Sequence, residues 1–387
     1  MFAPSLRKTA LVILVFLIVL LGLLGRPYFR GAAFVVEAAG LNGWARKLTA
    51  WQIQPVEKRD LSVPSRHGSL RAYAYQPANY RGARGILLVP GVHAAGIDEP
   101  RLAGFAEDLA GMGHRVLTVE LPDLTHYEIT SRTTDMIEDA AAWMLHQPEY
   151  QGPDGRIGMM GISFGGGLAL VAAGRSAIAS HVAFAMSLGG HGDLPRTLRF
   201  LCTGIQADGT VRAPHDYGLA IVLLNVADAI VPPSQVKPLR DAIFSFLEAS
   251  RLDMVDKQKA AAEFAHAKAL EATLEEPAHT YMGYVNARDV ARLGPLLLPT
   301  LATRGGDPSL SPARSQPPQA RVFLLHGTDD NVVPAIESTL LAQHLRERGV
   351  SVELLETPLI THAEVDRSST AGDIWRLIHF WTKLLDE

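Results

Sequence analysis

Between residues 84 and 190 the chain alternates short, continuous apolar runs with longer amphipathic segments, and this alternation restricts the fold more than any other feature. RGILLVPGVH (84–93), HRVLTVELPD (114–123), GRIGMMGIS (155–163) and SHVAFAMSLGG (180–190) read as buried strands. EPRLAGFAEDLAGMG, TTDMIEDAAAWMLHQ and FGGGLALVAAG, lying between them, read as helices. Strands apolar along their whole length, each followed by a helix, predict a largely parallel, doubly wound sheet covered on both faces. In such sheets functional residues stand just beyond the carboxyl ends of the strands. Ahead of this region, VEKRDLSVPS and GSLRAYAYQP form two further strands joined by a short polar turn.

After residue 190 the alternation breaks. Residues 191–319 are mostly helical in pattern, with one strand-like apolar piece, LAIVLLNVAD (219–228), and end in the Pro/Ser/Gly-rich stretch TRGGDPSLSPARSQPPQA. From residue 320 the pattern resumes with RVFLLHGTDD, the helix PAIESTLLAQHLRERG, the strand VSVELLET and a last helix, AGDIWRLIHFWTKLLDE. The expected organisation is an α/β core in two parts, 56–190 and 320–387, interrupted by a helical cap insertion with its linker, 191–319.

The N-terminal segment is of another kind. Arg7 and Lys8 precede an uncharged run from Thr9 to Gly25, at the lower limit of about 17 apolar residues that span a bilayer. Arg26, Pro27 and Arg30 follow it, which makes a poor cleavage site. Residues 1–30 are therefore expected to be a membrane anchor or uncleaved signal, forming a single transmembrane helix, and residues 31–55 a helical neck. FVVEAAGLNGWARKLTAW in the neck mixes apolar and basic positions, which fits either a membrane surface or a helix packed on the domain. Basic residues flank the run on both sides, so the positive-inside rule is nearly balanced; the short N-terminal tail favours an extracytoplasmic position for the rest of the chain.

Composition removes several classes of function. The net charge is −4, with no basic excess to bind nucleic acid. A single cysteine, Cys202, excludes an intrachain disulfide. The fourteen histidines are scattered, without His-Glu-x-x-His or paired-cysteine spacing, so neither a metal nor another cofactor is expected.

The chemistry concentrates around Gly161-Ile162-Ser163-Phe164-Gly165, which fits G-x-S-x-G between a buried strand and a helix. That is a nucleophile elbow, a sharp turn holding the serine hydroxyl above the sheet. The amide of Phe164 is placed to donate to an oxyanion, aided by the positive end of its helix. A phosphate-cradling loop is the rival reading. However, Gly158, Gly161 and Gly165 do not give G-x-G-x-x-G, and the next strand ends in AMSLGG without an acid. A serine nucleophile needs a base, and the base an orienting acid. In elbow folds the chain order is Ser, then Asp or Glu, then His. LLHGTDDNVVP supplies Asp330, with Asp329 beside it, and LLETPLITHAEVD supplies His362. Asp228, in the similar DAIVP, and Asp193, after SLGGHG, are competing acids. Val92, in VPGVHAAG, is the candidate for the second oxyanion amide, with His93 next to it. Inside the insertion, HDYG (His215–Gly218) and HTYMGY (His279–Tyr284) either line a pocket or pack the cap onto the core.

GISFGG, HGTDDNVVP and THAEV resemble the α/β-hydrolase superfamily, most closely its dienelactone-hydrolase and small serine-esterase branches, over roughly residues 65–190 and 320–385. The resemblance implies that the acid is the aspartate three residues after the glycine of His-Gly, which is Asp330. Dienelactone hydrolases proper use cysteine as nucleophile; serine here favours an esterase. Family members usually carry His-Gly where this chain has Pro90-Gly91, a departure a backbone donor tolerates. The expectation is a membrane-anchored serine hydrolase of the carboxylesterase kind, acting on a small-molecule or lipid ester. A thioesterase or peptidase with the same triad, and a catalytically silent binding module, remain as alternatives.

Overall fold

The computed structural model describes residues 25–79, 83–253, 255–301, 306–360 and 370–387. Eight strands form one sheet: β1 (Val56–Ser65), β2 (Gly68–Pro77), β3 (Ile86–Val89), β4 (Val116–Val119), β5 (Ile157–Ile162), β6 (Val182–Leu188), β7 (Arg321–Gly327) and β8 (Val352–Thr357), in the order β1-β2-β4-β3-β5-β6-β7-β8. The β1–β2 and β2–β4 pairs are antiparallel and all others parallel. The architecture is thus α/β with a mostly parallel sheet, as the alternation predicts.

Every residue of β3 and β4 is buried, because successive side chains enter opposite cores. Leu87 and Val89 of β3 join the core on one face, and Ile86 and Leu88 the core on the other. The first core is closed by the short α4 (Pro122–Thr125), α5 (Ser131–Leu145), α6 (Phe164–Ala173) and α13 (Ile336–Glu347); the second by α1 (residues 25–38), α3 (Pro100–Gly111) and α14 (Ala371–Leu385). The chain therefore leaves β3 toward one face and the neighbouring β5 toward the other. The loops part there and open a crevice at the carboxyl ends of the two strands.

Among the described residues, the chain between β6 and β7 carries six α-helices: α7 (Leu194–Thr203), α8 (Asp216–Ile230), α9 (Pro233–Asp253), α10 (Lys257–Glu271), α11 (Ala278–Asn286) and α12 (Val290–Leu301). The strand-like piece 219–228 is the middle of α8, which corrects the expectation of a strand. Its residues from Leu219 to Leu224 are all buried, so the segment is apolar on every side, and such a run has no period to tell helix from strand. Asp228 consequently sits in the exposed last turn of a helix rather than at a strand end. The two ends of this helical segment lie side by side. Glu337 of α13 accepts from the amides of Gly192 and Asp193, both at 3.0 Å, and pairs with Arg196. Asp193 pairs with Arg314 at 2.6 Å, Ala313 N donates to the Gly192 carbonyl at 3.0 Å, and Leu194 N donates to Ser311 Oγ at 2.9 Å.

The expected anchor 1–30 and neck 31–55 need a different boundary. The uncharged run, apart from Gly25, lies outside the described residues, and among those described no helix is long and apolar enough to cross a membrane. Residues 25–38 form α1 and belong to the core. A Cβ at Gly31 would overlap Thr382 Oγ1, so α1 and α14 touch backbone to side chain. Arg30 donates to the carbonyls of Leu385 (2.8 Å) and Met112 (3.0 Å) and meets His114 Nε2 at 2.9 Å. Burial and the Arg30 charge push His114 down to about 3. Its ring is therefore neutral, accepts from Arg30 at Nε2, and donates from Nδ1 to the Arg84 carbonyl at 3.0 Å. The following α2 (Trp44–Thr49) is different: Trp44, Leu48 and the nearby Trp51 are exposed.

Candidate active site

Ser163 is the turn between β5 and α6, with φ 53° and ψ −135°. A non-glycine residue at positive φ is strained by about 1–3 kcal/mol, which the surrounding structure must hold in place. The neighbouring glycines make the turn sterically feasible. A Cβ at Gly165 would overlap the carbonyl oxygen of Pro90, and one at Gly161 would overlap the carbonyl oxygen of Gly165. The serine's own amide donates to the Leu188 carbonyl at 2.8 Å, tying the turn to β6. Ser163 is nearly buried.

Phe164 is the first residue of α6, so its N–H has no carbonyl partner within the helix. The β3 loop runs beside it: a Cβ at Gly91 would come 3.3 Å from that of Ser163. Val92 follows, and Ser163, Phe164 and Val92 all line one cavity of about 720 Å³. His93 lines it too, with Nδ1 accepting from the Ala95 amide at 3.1 Å; burial lowers its pKa.

Asp330 reaches the same cavity from the loop after β7. Its Oδ1 accepts from the amides of Val332 (2.8 Å) and Val333 (2.9 Å), and Oδ2 lies 3.5 Å from His326 Nε2. His326 is fully buried, with Nε2 2.8 Å from the Val333 carbonyl and Nδ1 2.7 Å from Ser338 Oγ. Two turn amides thus fix one carboxylate oxygen in place. The competing acids occupy other places. Asp329 turns outward, its side chain 77% exposed beside Arg212. Asp193 caps α7 through the Arg196 amide. His362 lies outside the described residues.

The two patches in the helical segment separate. His215, Asp216 and Tyr217 line the cavity. His279 instead bonds to the Glu271 carbonyl and Met282 is buried, so HTYMGY packs helix against helix. Tyr217 stands near Asp330, and burial together with that charge raises its pKa. Tyr127, also at the cavity, has φ 61° and is pushed up to about 12 by burial. Tyr217 belongs to the HDYG patch marked in the sequence, whereas Tyr127 carries no local signal and reaches the cavity only through tertiary structure. Among the described residues no three His, Cys, Asp or Glu side chains are grouped to hold a metal ion.

A serine on a strained strand-to-helix turn after β5, an aspartate after β7 and a mostly parallel eight-stranded sheet now stand together. This is the arrangement that a nucleophile elbow takes on a mostly parallel α/β sheet. Solved esterases, peptidases and hydrolases resemble the chain at low identity. An esterase from Pyrobaculum calidifontis aligns at 15% identity over 99% of this chain and 98% of its own, with a TM-score of 0.47. Acylaminoacyl peptidase of Pyrococcus horikoshii aligns at 15% identity over 89% of this chain and 43% of its own, with a TM-score of 0.47. A dienelactone hydrolase from Anabaena variabilis aligns at 16% identity over 85% and 96%, with a TM-score of 0.43. No family model matches the sequence, and no curated protein matches it significantly.

Proposed function

We propose that the protein is a serine hydrolase that cleaves carboxylic esters through an acyl-enzyme. Ser163 Oγ attacks the ester carbonyl, and His362 takes its proton and passes it to the leaving alcohol. Asp330 orients the imidazole and stabilises its charged form. The amides of Val92 and Phe164 bind the oxyanion, each contributing about 2.7–4 kcal/mol of barrier lowering. Water then attacks the acyl-serine, with His362 as base. The observation that carries this reading is Ser163 at φ 53°, at the head of α6, opening on a cavity shared with Asp330 and the Val92 loop.

A membrane anchor is part of the same proposal. It is supported by Arg7, Lys8 and the uncharged run from Thr9 to Gly25, and it sets the catalytic domain on the extracytoplasmic side. The catalytic reading is tested with a fluorophosphonate probe and p-nitrophenyl esters, alongside a thioester and a peptide anilide. Labelling at Ser163, lost in Ser163→Ala, with ester turnover exceeding the other two, is the expected result. Labelling of another serine overturns the assignment. The anchor is tested by an alkaline carbonate wash of membranes, after which the full chain should remain in the pellet.

A further inference from the structure

The cavity at Ser163 extends between the helical segment and the second core. Toward the helical segment it meets Tyr217, Leu247 and Phe264 together with Asp216 and Arg288, which pair at 2.9 Å. Toward the second core it meets Val35 and Ala38 of α1, Leu102 and Phe105 of α3, and Leu377 and Trp381 of α14. We propose, resting on Ser163 as nucleophile, that this second arm holds the apolar chain of the ester, with α1 as one wall.

Three observations carry the assignment. The cavity, about 720 Å³, is far larger than a short acyl group needs and falls within the range of sites that bury most of a ligand. Its apolar side chains come from three helices that pack on one another through the Gly31–Thr382, Phe34–Trp381 and Phe34–Phe105 contacts, so the arm is a built wall. The wall is also the part of the domain next in sequence to the uncharged run ending at Gly25, which suits a substrate drawn from a lipid phase.

Gly104 of α3 gives a direct test. It lines the cavity, and an added Cβ there meets nothing within 4 Å. Gly104→Phe therefore puts a ring into open space, and Gly104→Ala is the control. The full-length protein in detergent is assayed on p-nitrophenyl acetate, octanoate and laurate, with fluorophosphonate labelling of each variant. Burial of each added methylene is worth up to about fourfold in kcat/KM. Octanoate is expected to exceed acetate by about tenfold or more in the wild type and in Gly104→Ala. Gly104→Phe should lose that preference while keeping acetate turnover and labelling. An unchanged chain-length profile in Gly104→Phe, with acetate turnover intact, overturns the inference and leaves the hydrolase reading standing. Absence of both labelling and acetate turnover in the wild type overturns the hydrolase reading itself. Should Gly104→Phe lose acetate turnover as well, Phe105→Ala decides: a wider arm shifts the optimum toward laurate, and an unmoved optimum counts against the arm.

Discussion

The ring of Phe34 on α1 lies 4.3 Å, centroid to centroid, from the indole of Trp381 on α14, so the two helices from opposite ends of the chain close one face of the sheet together. Phe34 is fully buried and Trp381 is 4% exposed. Residues that follow directly on the uncharged N-terminal run are thus part of the α/β core.

That contact sets where the chain can be shortened. A protein beginning at Gly25 should be soluble and keep its melting temperature. One beginning at Val56 lacks α1, bares Trp381 and Leu377, and should aggregate or melt far lower. Phe34→Ala alone should cost about 3–5 kcal/mol, as aromatic deletions in packed cores do. Thermal melts of the three proteins, followed by circular dichroism, check this.

The aspartates should separate by role. Asp330→Asn keeps an oxygen for the Val332 and Val333 amides, so the turn and the melting temperature should persist. Ester turnover should fall on the order of 10⁴-fold, the cost of losing the acid of a triad. Asp329→Asn and Asp228→Asn, both at exposed positions, should leave turnover within about twofold. Asp193→Asn should instead lower stability by about 1 kcal/mol through its pair with the half-exposed Arg314, with turnover per folded molecule retained. Steady-state kinetics beside melting curves distinguish the four.

Asp108 gives a pH dependence of defined sign. Burial, with repulsion from Glu37 and Glu107, pushes its pKa up to about 6 from an ordinary 3.8. The folded state therefore binds a proton that the unfolded chain has already released. Stability is highest below the unfolded value and falls as pH rises from about 4 to about 6. Asp108→Asn removes this loss. Its melting temperature should match the wild type near pH 4 and exceed it above pH 6 by about 1–2 °C, corresponding to about 1 kcal/mol. The full shift would give about 3 kcal/mol, reduced here because the carboxylate keeps some contact with water.

The helical segment should govern selectivity more than reactivity. Phe264 of α10 lines the cavity and packs edge-on against Phe246 of α9 at 5.6 Å. Phe264→Ala should alter the ratio of bulky to small ester turnover several-fold, while the labelling rate with a small fluorophosphonate stays within about twofold. Equal changes in both assign Phe264 to the integrity of the site rather than to choice of substrate.

The elbow was legible because its determinants are local. A buried strand, a serine and glycines spaced to let Pro90 approach are all contained in a dozen neighbouring residues. The strand ends carrying Val92 and Asp330 were legible for the same reason, since continuous apolar runs stop where the chain leaves the sheet. What escaped had no local signal. α8 is apolar on every side and carries no periodic stripe to mark it as a helix. Tyr127 reaches the site only through tertiary packing. α1 falls across the boundary expected between anchor and neck, because its buried face, Gly31, Ala33 and Phe34, looks in sequence like any other apolar stretch; the complementary surface of α14 decides between a membrane surface and a helix packed on the domain.

The clasp of Gly192, Asp193 and Arg196 with Ala313, Arg314 and Glu337 has a consequence for how such a chain changes over evolutionary time. Because the helical segment departs from and returns to the sheet at one point, the β6–β7 frame sees it as a single long turn, and closing a long turn costs little more than closing a short one. Everything between the clasped ends can be exchanged as a cassette, by recombination or in the laboratory, with Ser163 and Asp330 left beyond strand ends that the exchange does not touch. The proposed nucleophile and the choice of what reaches it are thereby inherited separately.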